Sequence, residues 1–426
     1  MSALAQYLNF KGYFVTGSDK ISSETIKRLK SDGICVFIGH SEQNVAGADV
    51  VIYSSAISND NPELQFAIDN KLPCVKRSAL LKIISNSFCN RIGVCGSHGK
   101  TTVTSMLAHV FNRAKLSFTA HIGGCDNDFG NLIIKGDGVF LSEVCEFKHS
   151  IDDFTAETAI CLNVDNDHLN CYDGFDDLKN TFYDYLNRAK LRIINGDDRS
   201  LKDYKNKAVL FGLKKGDYRI EKYKTYPDGG ASFKVVGKLD YPIEFELPYC
   251  AEYYAMNVLA AVSASHCIGI KEQFIFEGIN EFKGVKRRNE VIGNLNGIPV
   301  IADYAHHPTE IESFLSARRN EQVICVFQPH TYSRTKILFD DFISVLSGVK
   351  KLYLYKTYSA REEFDYSGSC EKLKESLVNA IYYEDFNELF SAVKKESLNC
   401  DKDSEILVIG AGDLYDKFKE KLSSEN

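Results

Sequence analysis

The sequence predicts an α/β fold arranged in three domains. Strand-like runs of β-branched and aromatic residues alternate with helix-length segments, which indicates parallel sheets with right-handed crossovers. The 426 residues correspond to roughly three domains at about 150 residues each. A glycine-rich segment at 96–102 follows one strand-like run and opens a helix-like one, an arrangement that binds phosphate groups in many α/β proteins.

The composition excludes several classes of protein. Hydrophobic residues make up 44% and charged residues 26%, which rules out disorder, collagen and coiled coil as the main state. With 51 basic and 58 acidic residues the net charge is −7, so we expect no nucleic-acid partner. The longest apolar runs are about strand length, far below the roughly 20 residues that span a bilayer, and no secretory leader is visible. We therefore expect no membrane insertion.

The cysteines suggest a reducing environment. There are 13 of them, an odd number, scattered singly and without a CxxC pair. This pattern predicts neither a disulfide framework nor a zinc ribbon. We interpret most of them as small buried hydrophobic residues of a cytoplasmic protein.

The first third of the chain is predicted to begin with a helix. Residues 1–5 already have a helical pattern, and no strand-like run precedes them. The apolar run 80–88 leads into a new strand, so the first domain boundary is placed near 82–90. Strands are expected at 34–38 and 50–53, and helices at 22–30 and 62–70.

The rest of the chain continues this alternation with one interruption. Residues 205–248 alternate tyrosine, glycine and lysine with apolar residues, which indicates a small antiparallel patch. The basic segment 283–288 marks the second boundary and gives domains 1–84, 85–282 and 283–426. Strands are expected at 92–95, 139–141, 300–302, 323–327, 352–354 and 406–409, and helices at 100–115, 251–266 and 272–282.

The glycine-rich segment is the strongest local motif. Backbone N–H groups of such a loop point at phosphate oxygens, Lys100 would lie by the β- and γ-phosphates, and Thr101 would bind Mg²⁺. The motif is a shorter GxxGKT form, because the first glycine of the usual loop would fall at Val94. The alternative is an ordinary glycine-rich turn. The segment consists of Gly96, Ser97, His98, Gly99, Lys100, Thr101 and Thr102.

Acidic and imidazole side chains follow the next two predicted strands. The carboxyl ends of parallel strands line the crevice where α/β sheets bind ligands. Glu146 and His168 could therefore hold a second metal ion beside the phosphates. Taken alone, each would be a surface or capping residue.

Two further clusters follow strands near the C-terminus. Asp303 could accept hydrogen bonds from ribose hydroxyls or position a phosphate-binding lysine. Joint metal binding by His306 and His307 is disfavoured, because adjacent residues on extended backbone face opposite ways. If helical, His330 and Arg334 share a face, and Arg334 could bind a carboxylate or form a surface salt bridge.

Taken in order, these motifs resemble the Mur ligase family of peptidoglycan synthesis. The resemblance covers nearly the whole chain and is closest to the branch that attaches L-alanine to UDP-N-acetylmuramate. The segments that carry it are 51–57, 61–64, 96–102, 163–169, 284–288, 303–310, 327–330 and 410–413.

The resemblance implies fold and chemistry. It implies a Rossmann-like N-terminal domain that binds the UDP-sugar and a central domain of the P-loop type that binds ATP. It also implies a Rossmann-like C-terminal domain that binds the amino acid and ATP. The implied reaction joins L-alanine to the lactyl carboxylate of UDP-N-acetylmuramate through an acyl phosphate, with ATP and Mg²⁺. Two alternatives remain, a murein tripeptide recycling ligase and a nucleotide-binding homologue that has lost UDP-substrate binding.

The resemblance also implies site residues. Thr101 would hold one Mg²⁺ ion, and Glu146 with His168 the other. The implied catalytic residues are Lys100, His168, Arg288, His330 and Arg334. Nucleotide binding would use the glycine-rich segment together with Asn257, Arg288 and Asp303.

Four departures from the family pattern affect these expectations. Met1 aligns just after the family's opening strand and its GxGGxGM-type loop, so we expect that strand and turn to be missing. In the family a helix at this position usually carries a His-Asn pair that contacts the nucleotide. This chain has Tyr253 and Tyr254 there, and a tyrosine could stack on adenine instead. Thr331 replaces an arginine that often follows FQPH, which leaves carboxylate binding to Arg334. The choice of metal ligand between Glu143 and Glu146 stays open.

Overall fold

The computed structural model describes residues 1–167, 171–226, 230–247, 252–318 and 323–425. The chain divides into two compact units. The first consists of Met1–Ile220, Val235–Ile243 and Asn257–Lys283. The second consists of Glu221–Lys234, Glu244–Met256 and Gly284–Asn426.

The N-terminal region begins with a helix, as predicted. Leu4 and Tyr7 lie on one face of it and are buried. The strands that follow form two separate parallel pairs, β1 with β2 and β3 with β4, rather than one sheet. The elements are α1 (Ser2–Phe10), β1 (Thr16–Asp19), α2 (Glu24–Ser31), β2 (Cys35–Ile38), β3 (Val51–Tyr53), α3 (Pro62–Asp69), β4 (Cys74–Lys76) and α4 (Arg77–Asn86).

The middle region is built on a ten-stranded sheet with the order β14-β13-β12-β11-β10-β9-β5-β8-β6-β7. Its central strands are parallel and buried, which explains their continuous apolar sequences. Its elements are β5 (Asn90–Cys95), α5 (Lys100–Arg113), β6 (Phe118–Asp126), β7 (Gly130–Ile134), β8 (Val139–Glu143), β9 (Thr158–Cys161), α6 (Phe175–Arg188), β10 (Leu191–Asn195), β11 (Val209–Gly212), β12 (Tyr218–Thr225), β13 (Ala231–Gly237), β14 (Ile243–Leu247), α7 (Glu252–Cys267) and α8 (Glu272–Glu281).

The predicted antiparallel patch is confirmed in part of the range 205–248. β11 still pairs parallel with both β10 and β12. The antiparallel pairing is between β12 and β13. The Tyr226 N–H donates to the Gly230 carbonyl at one end of this pair, and the Lys238 N–H donates to the Asp217 carbonyl at the other end. β6 and β7 form a second antiparallel pair, which was not predicted from the sequence.

The C-terminal region forms a six-stranded sheet with the order β15-β16-β20-β17-β18-β19. Its hairpin turns at Asn296 and Gly297, both with positive φ, as a two-residue turn between twisted strands requires. The elements are β15 (Glu290–Leu295), β16 (Ile298–Asp303), α9 (Pro308–Ser316), β17 (Val323–Phe327), α10 (Tyr332–Ile337), α11 (Phe339–Ser347), β18 (Lys351–Tyr355), α12 (Cys370–Ser376), β19 (Ala380–Tyr383), α13 (Phe386–Ser397), β20 (Glu405–Ile409) and α14 (Leu414–Glu425).

Apolar residues from both faces of this sheet form its core. One cluster includes Phe314, Phe342 and Leu354, and another includes Val326 and Phe418. A sheet covered on both faces by helices directs its functional side chains to the strand ends. No helix in the described part of the chain is both long and apolar enough to cross a bilayer.

Candidate active site

Three neighbouring strands of the central sheet end at the same edge. β5 lies between β8 and β9 and pairs parallel with both. Parallel pairing brings their carboxyl ends together, and with them the segments 96–102, 143–146 and 162–167. The candidate site is therefore assembled from three parts of the chain that are not adjacent in the sequence.

The phosphate loop needs glycine at two positions. Gly96 and Gly99 have φ of +137° and +84°, a region that side-chain-bearing residues rarely adopt. A Cβ atom at Gly99 would lie 2.6 Å from Oδ1 of Asn257. The structure thus places Asn257, which is buried on α7, directly against the loop, and α5 begins at Lys100 as predicted.

Polar residues after β9 hold this loop in place. The backbone N–H of His98 donates to Oδ1 of Asn163 at 2.8 Å, and Nδ2 of Asn163 donates to the His98 carbonyl at 3.1 Å. Nε2 of His98 lies 3.0 Å from Oδ2 of Asp165, whose backbone N–H donates to the Ser97 hydroxyl. Neither Asn163 nor Asp165 was predicted to hold the loop, although both lie in the segment 163–169 that carries the family resemblance.

Lys100 lies at the centre of the site and is paired with Glu146. Its Nζ is 2.9 Å and 3.1 Å from the two carboxylate oxygens, and it also donates to the carbonyls of Gly96 and Ser97. The Glu146 side chain is only 1% exposed. Burial alone would lower the pKa of Lys100, but the Glu146 carboxylate outweighs that effect and raises it above its ordinary value.

Thr101 contacts Glu143, the second acidic residue of the segment 143–146. Its hydroxyl donates to Oε2 of Glu143 at 2.7 Å. Together, Thr101, Glu143 and Glu146 present one hydroxyl and two carboxylates, the hard oxygen donors that suit Mg²⁺. The predicted metal ligand His168 lies outside the described residues. Thr102, which was predicted to contact the nucleotide, is buried in the first turn of α5.

Asp303 ends β16 and organises the loops around it. Its carboxylate accepts backbone N–H groups of Asn289 and Ala305, both at 2.8 Å. Burial raises the pKa of Asp303 even though the charge of Arg288 opposes this. Arg288 lies over the ring of Tyr304 and 3.6 Å from Glu310. The contacts described for Asp303 include no lysine, and its predicted role toward a nucleotide stays a prediction.

His330 and Arg334 are adjacent, but not for the predicted reason. The helix α10 begins at Tyr332, so His330 precedes it and the two do not share a helical face. Arg334 instead reaches back and donates from Nη1 to the His330 carbonyl at 2.9 Å. The His330 ring stacks on Tyr358 with centroids 5.4 Å apart and meets the edge of His306 at 5.9 Å.

The two adjacent histidines have separate partners. His307 accepts a hydrogen bond from the Thr309 N–H at the start of α9, which begins at Pro308. His306 directs Nδ1 to the Tyr304 carbonyl at 2.9 Å. Neither contact requires a metal ion bound by both rings.

His330 should make stability dependent on pH. Burial, with the Arg334 guanidinium, lowers the pKa of His330 from 6.5 to about 4. The unfolded chain therefore binds a proton that the folded chain does not, so stability is lost as the pH falls from 6.5 toward 4, by up to about 3 kcal/mol.

Urea unfolding of the wild type and of His330→Gln at about pH 7 and pH 4.5 should show a smaller loss of stability in the variant. The matched variant of the half-exposed His149, His149→Gln, should lose as much as the wild type, and equal losses in all three would contradict this assignment.

Family models match the chain in three consecutive segments. Residues 1–89 match the Mur ligase family catalytic domain, residues 94–265 the Mur ligase middle domain, and residues 287–412 the Mur ligase glutamate ligase domain. Together these segments account for most of the chain and include each of the strand-end clusters described above.

Individual proteins are similar over nearly their full length. The UDP-N-acetylmuramate–L-alanine ligase of Clostridium acetobutylicum is 37% identical, covering 97% of this chain and 93% of its own. A crystal structure of UDP-N-acetylmuramate–alanine ligase from Thermotoga maritima has a TM-score of 0.84 at 26% identity, covering 100% of this chain and 97% of that one. A murein peptide ligase from Psychrobacter arcticus has a TM-score of 0.76 at 19% identity, covering 100% and 96%, and shares the fold.

Proposed function

This chain belongs to the Mur ligase family, and from that premise we propose that it joins L-alanine to the lactyl carboxylate of UDP-N-acetylmuramate, using ATP. The observation that carries the proposal is full-length similarity to alanine ligases in a chain whose phosphate loop is intact. The product would be a precursor of peptidoglycan. ATP is the nucleotide that this family uses.

The chemistry follows from the poor reactivity of a carboxylate. An amine cannot displace oxide from it, so a lactyl oxygen first attacks the γ-phosphorus of ATP and releases ADP. The amine of L-alanine then attacks the acyl carbon, phosphate leaves, and the amine proton passes to solvent. Negative charge gathers at the γ-phosphate during the first step, so the main requirement is a fixed positive charge at that point.

The phosphate loop supplies that charge. Lys100 is held by two loop carbonyls and by Glu146, so its ammonium is oriented before any nucleotide binds. Arg288 and Asn257 are proposed to contact the nucleotide, and Asp303 to hold the backbone beside Arg288. In this proposal residues 1–84 bind the UDP-sugar, 85–282 bind ATP, and 283–426 close over the amino acid and ATP.

The residues beside Lys100 also fit Mg²⁺. We propose that Thr101 holds one ion together with Glu143, whose carboxylate accepts the Thr101 hydroxyl, and that Glu146 with His168 holds another. When bound, the ions would neutralise phosphate oxygens and so ease attack by the lactyl carboxylate.

The proposed amino-acid site lies at His330 and Arg334. The guanidinium fork of Arg334 suits the planar carboxylate of an amino acid. The lowered pKa of His330 keeps its ring neutral at neutral pH, so it can accept a hydrogen bond from an amine. His330 would thereby help to orient the attacking nitrogen.

The test is the substrate requirement for ADP release. Release of ADP and phosphate from ATP should require both UDP-N-acetylmuramate and L-alanine. Turnover with neither substrate would refute the proposal. Competition between L-alanine and the murein tripeptide separates the recycling ligase from the alanine ligase. Calorimetry that detects ATP binding but no UDP-sugar binding would instead favour the nucleotide-binding homologue.

A further inference from the structure

An irregular segment wraps the helix that carries Arg334. Residues 358–368, called the strap below, connect the region after β18 to α12. The Tyr358 N–H donates to the Pro329 carbonyl at 2.9 Å, and the Tyr358 ring stacks on His330. Phe364 meets the edge of Tyr332 with centroids 5.5 Å apart. The strap therefore follows the segment 329–337 along its length.

Glu362 is the residue of the strap with the most hydrogen bonds to that segment. Its carboxylate accepts the Thr331 hydroxyl at 2.8 Å and the Ser333 backbone N–H at 2.9 Å, and it also accepts the Ser333 hydroxyl. These donors lie 31 and 29 residues away along the chain. Three converging donors fix the position of one carboxylate and of the backbone that supplies them.

These contacts replace the usual cap of α10. The helix has six residues, and its N-cap residue Thr331 makes no side-chain capping bond. The Thr331 hydroxyl, which would ordinarily accept an N–H of the first turn, donates to Glu362 instead. Glu362 then accepts the Ser333 N–H itself. A carboxylate from outside the helix thus satisfies a backbone donor that would otherwise lack an acceptor.

The start of α10 determines where His330 and Arg334 lie. His330 precedes Thr331 by one residue, and Arg334 follows Ser333 directly. Arg334 is held back against the His330 carbonyl, a contact that depends on the backbone between them. Burial alone would raise the pKa of Glu362, but hydrogen bonds from Ser333 and Thr331 lower it below its ordinary value, so the carboxylate is ionised at neutral pH.

We propose that Glu362 is a positioning residue for the amino-acid substrate, acting through Thr331 and Ser333 to fix His330 and Arg334. The inference rests on the proposed function for the identity of that substrate. Glu362 takes no part in binding nucleotide or UDP-sugar in this proposal. Its loss should therefore weaken use of L-alanine selectively.

The kinetic test compares variants of both partners. Glu362→Gln should raise the KM for L-alanine about tenfold and leave the KM values for ATP and UDP-N-acetylmuramate within about twofold. Thr331→Val should have a similar effect, whereas Thr331→Ser, which keeps the hydroxyl, should behave like the wild type. The effects of Glu362→Gln and Thr331→Val should be less than additive in the double variant, because both act on the same Thr331–Glu362 hydrogen bond. An unchanged KM for L-alanine, or an equal rise in all three KM values, would overturn the proposal.

A structural readout makes the inference independent of turnover. Hydrogen exchange of the 329–337 segment should be faster in Glu362→Gln than in the wild type, because the Ser333 amide loses a charged acceptor. The matched control is Glu363→Gln, which makes the same chemical change at the neighbouring, exposed carboxylate of the strap. It should leave both exchange and the KM for L-alanine unchanged. If the wild type shows no L-alanine-dependent ADP release, the proposed function fails, whereas unchanged exchange in Glu362→Gln refutes the positioning role alone.

Discussion

Lys100→Ala is expected to lower turnover by about 1,000-fold or more, because the variant lacks the fixed positive charge nearest the reacting phosphate. The measurement is ADP release at saturating ATP, UDP-N-acetylmuramate and L-alanine. Retention of more than about a tenth of wild-type turnover would contradict the role given to the phosphate loop.

Loss of Lys100 has a second consequence, for stability. Glu146 is almost fully buried, and without the lysine its carboxylate loses this ion pair, which costs about 3–5 kcal/mol. A fall in turnover could therefore reflect partial unfolding. The double variant Lys100→Ala with Glu146→Gln also removes the buried carboxylate charge and should recover most of the stability while turnover stays low.

A matched control shows whether the effect of Lys100→Ala depends on the position of the lysine or only on the loss of a positive charge. Lys179 on α6 is partly exposed and pairs with the exposed Asp176. Lys179→Ala should keep wild-type turnover and stability, since exposed pairs of this kind contribute little. Equal losses in Lys100→Ala and Lys179→Ala would show that the site assignment is wrong.

Glu143→Gln is expected to raise the Mg²⁺ concentration for half-maximal turnover by about 100-fold. The amide keeps the shape of the side chain and can still accept the Thr101 hydroxyl, but it lacks the negative charge that attracts the ion. The measurement is ADP release over a series of magnesium chloride concentrations. Removal of divalent ions by a chelator should abolish turnover in all variants.

Two comparisons make this prediction specific. Glu157→Gln changes a carboxylate that pairs with Arg91 at the amino-terminal ends of β5 and β9, away from the site. The Mg²⁺ requirement of this variant should be unchanged. Glu146→Gln should lower stability more, because Lys100 loses its buried partner. Glu146→Gln should also raise the Mg²⁺ requirement, through the second proposed ion, so the test of the Thr101 pairing is Glu143→Gln alone. If Glu143→Gln leaves the Mg²⁺ requirement unchanged, the proposed pairing of Glu143 with Thr101 at an ion is wrong.

Short polar strands show the limit of reading this fold from sequence. β1 reads Thr-Gly-Ser-Asp and lacks the β-branched or apolar run that marks buried strands. Its extended form depends on pairing with β2, a partner almost twenty residues away. The strands predicted correctly, such as β17 at Val323–Phe327, are buried on both faces and therefore apolar throughout.

Helix boundaries near the amino-acid site show a second limit. The spacing of His330 and Arg334 suggested one helix, but α10 begins two residues after His330. The reason is the contact of Thr331 and Ser333 with Glu362, which no local pattern contains. The two side chains still meet, through a backbone carbonyl rather than a shared face.

The sequence by itself determined the fold class, the phosphate loop and the family. These depend on local patterns, because burial on both faces gives apolar strands and the loop needs glycines before Lys100. The tertiary structure alone decided that Lys100 pairs with Glu146, Thr101 with Glu143, and Thr331 with Glu362. Each of those contacts joins residues about 30 to 46 positions apart, and the sheet order that brings strand ends together decides them.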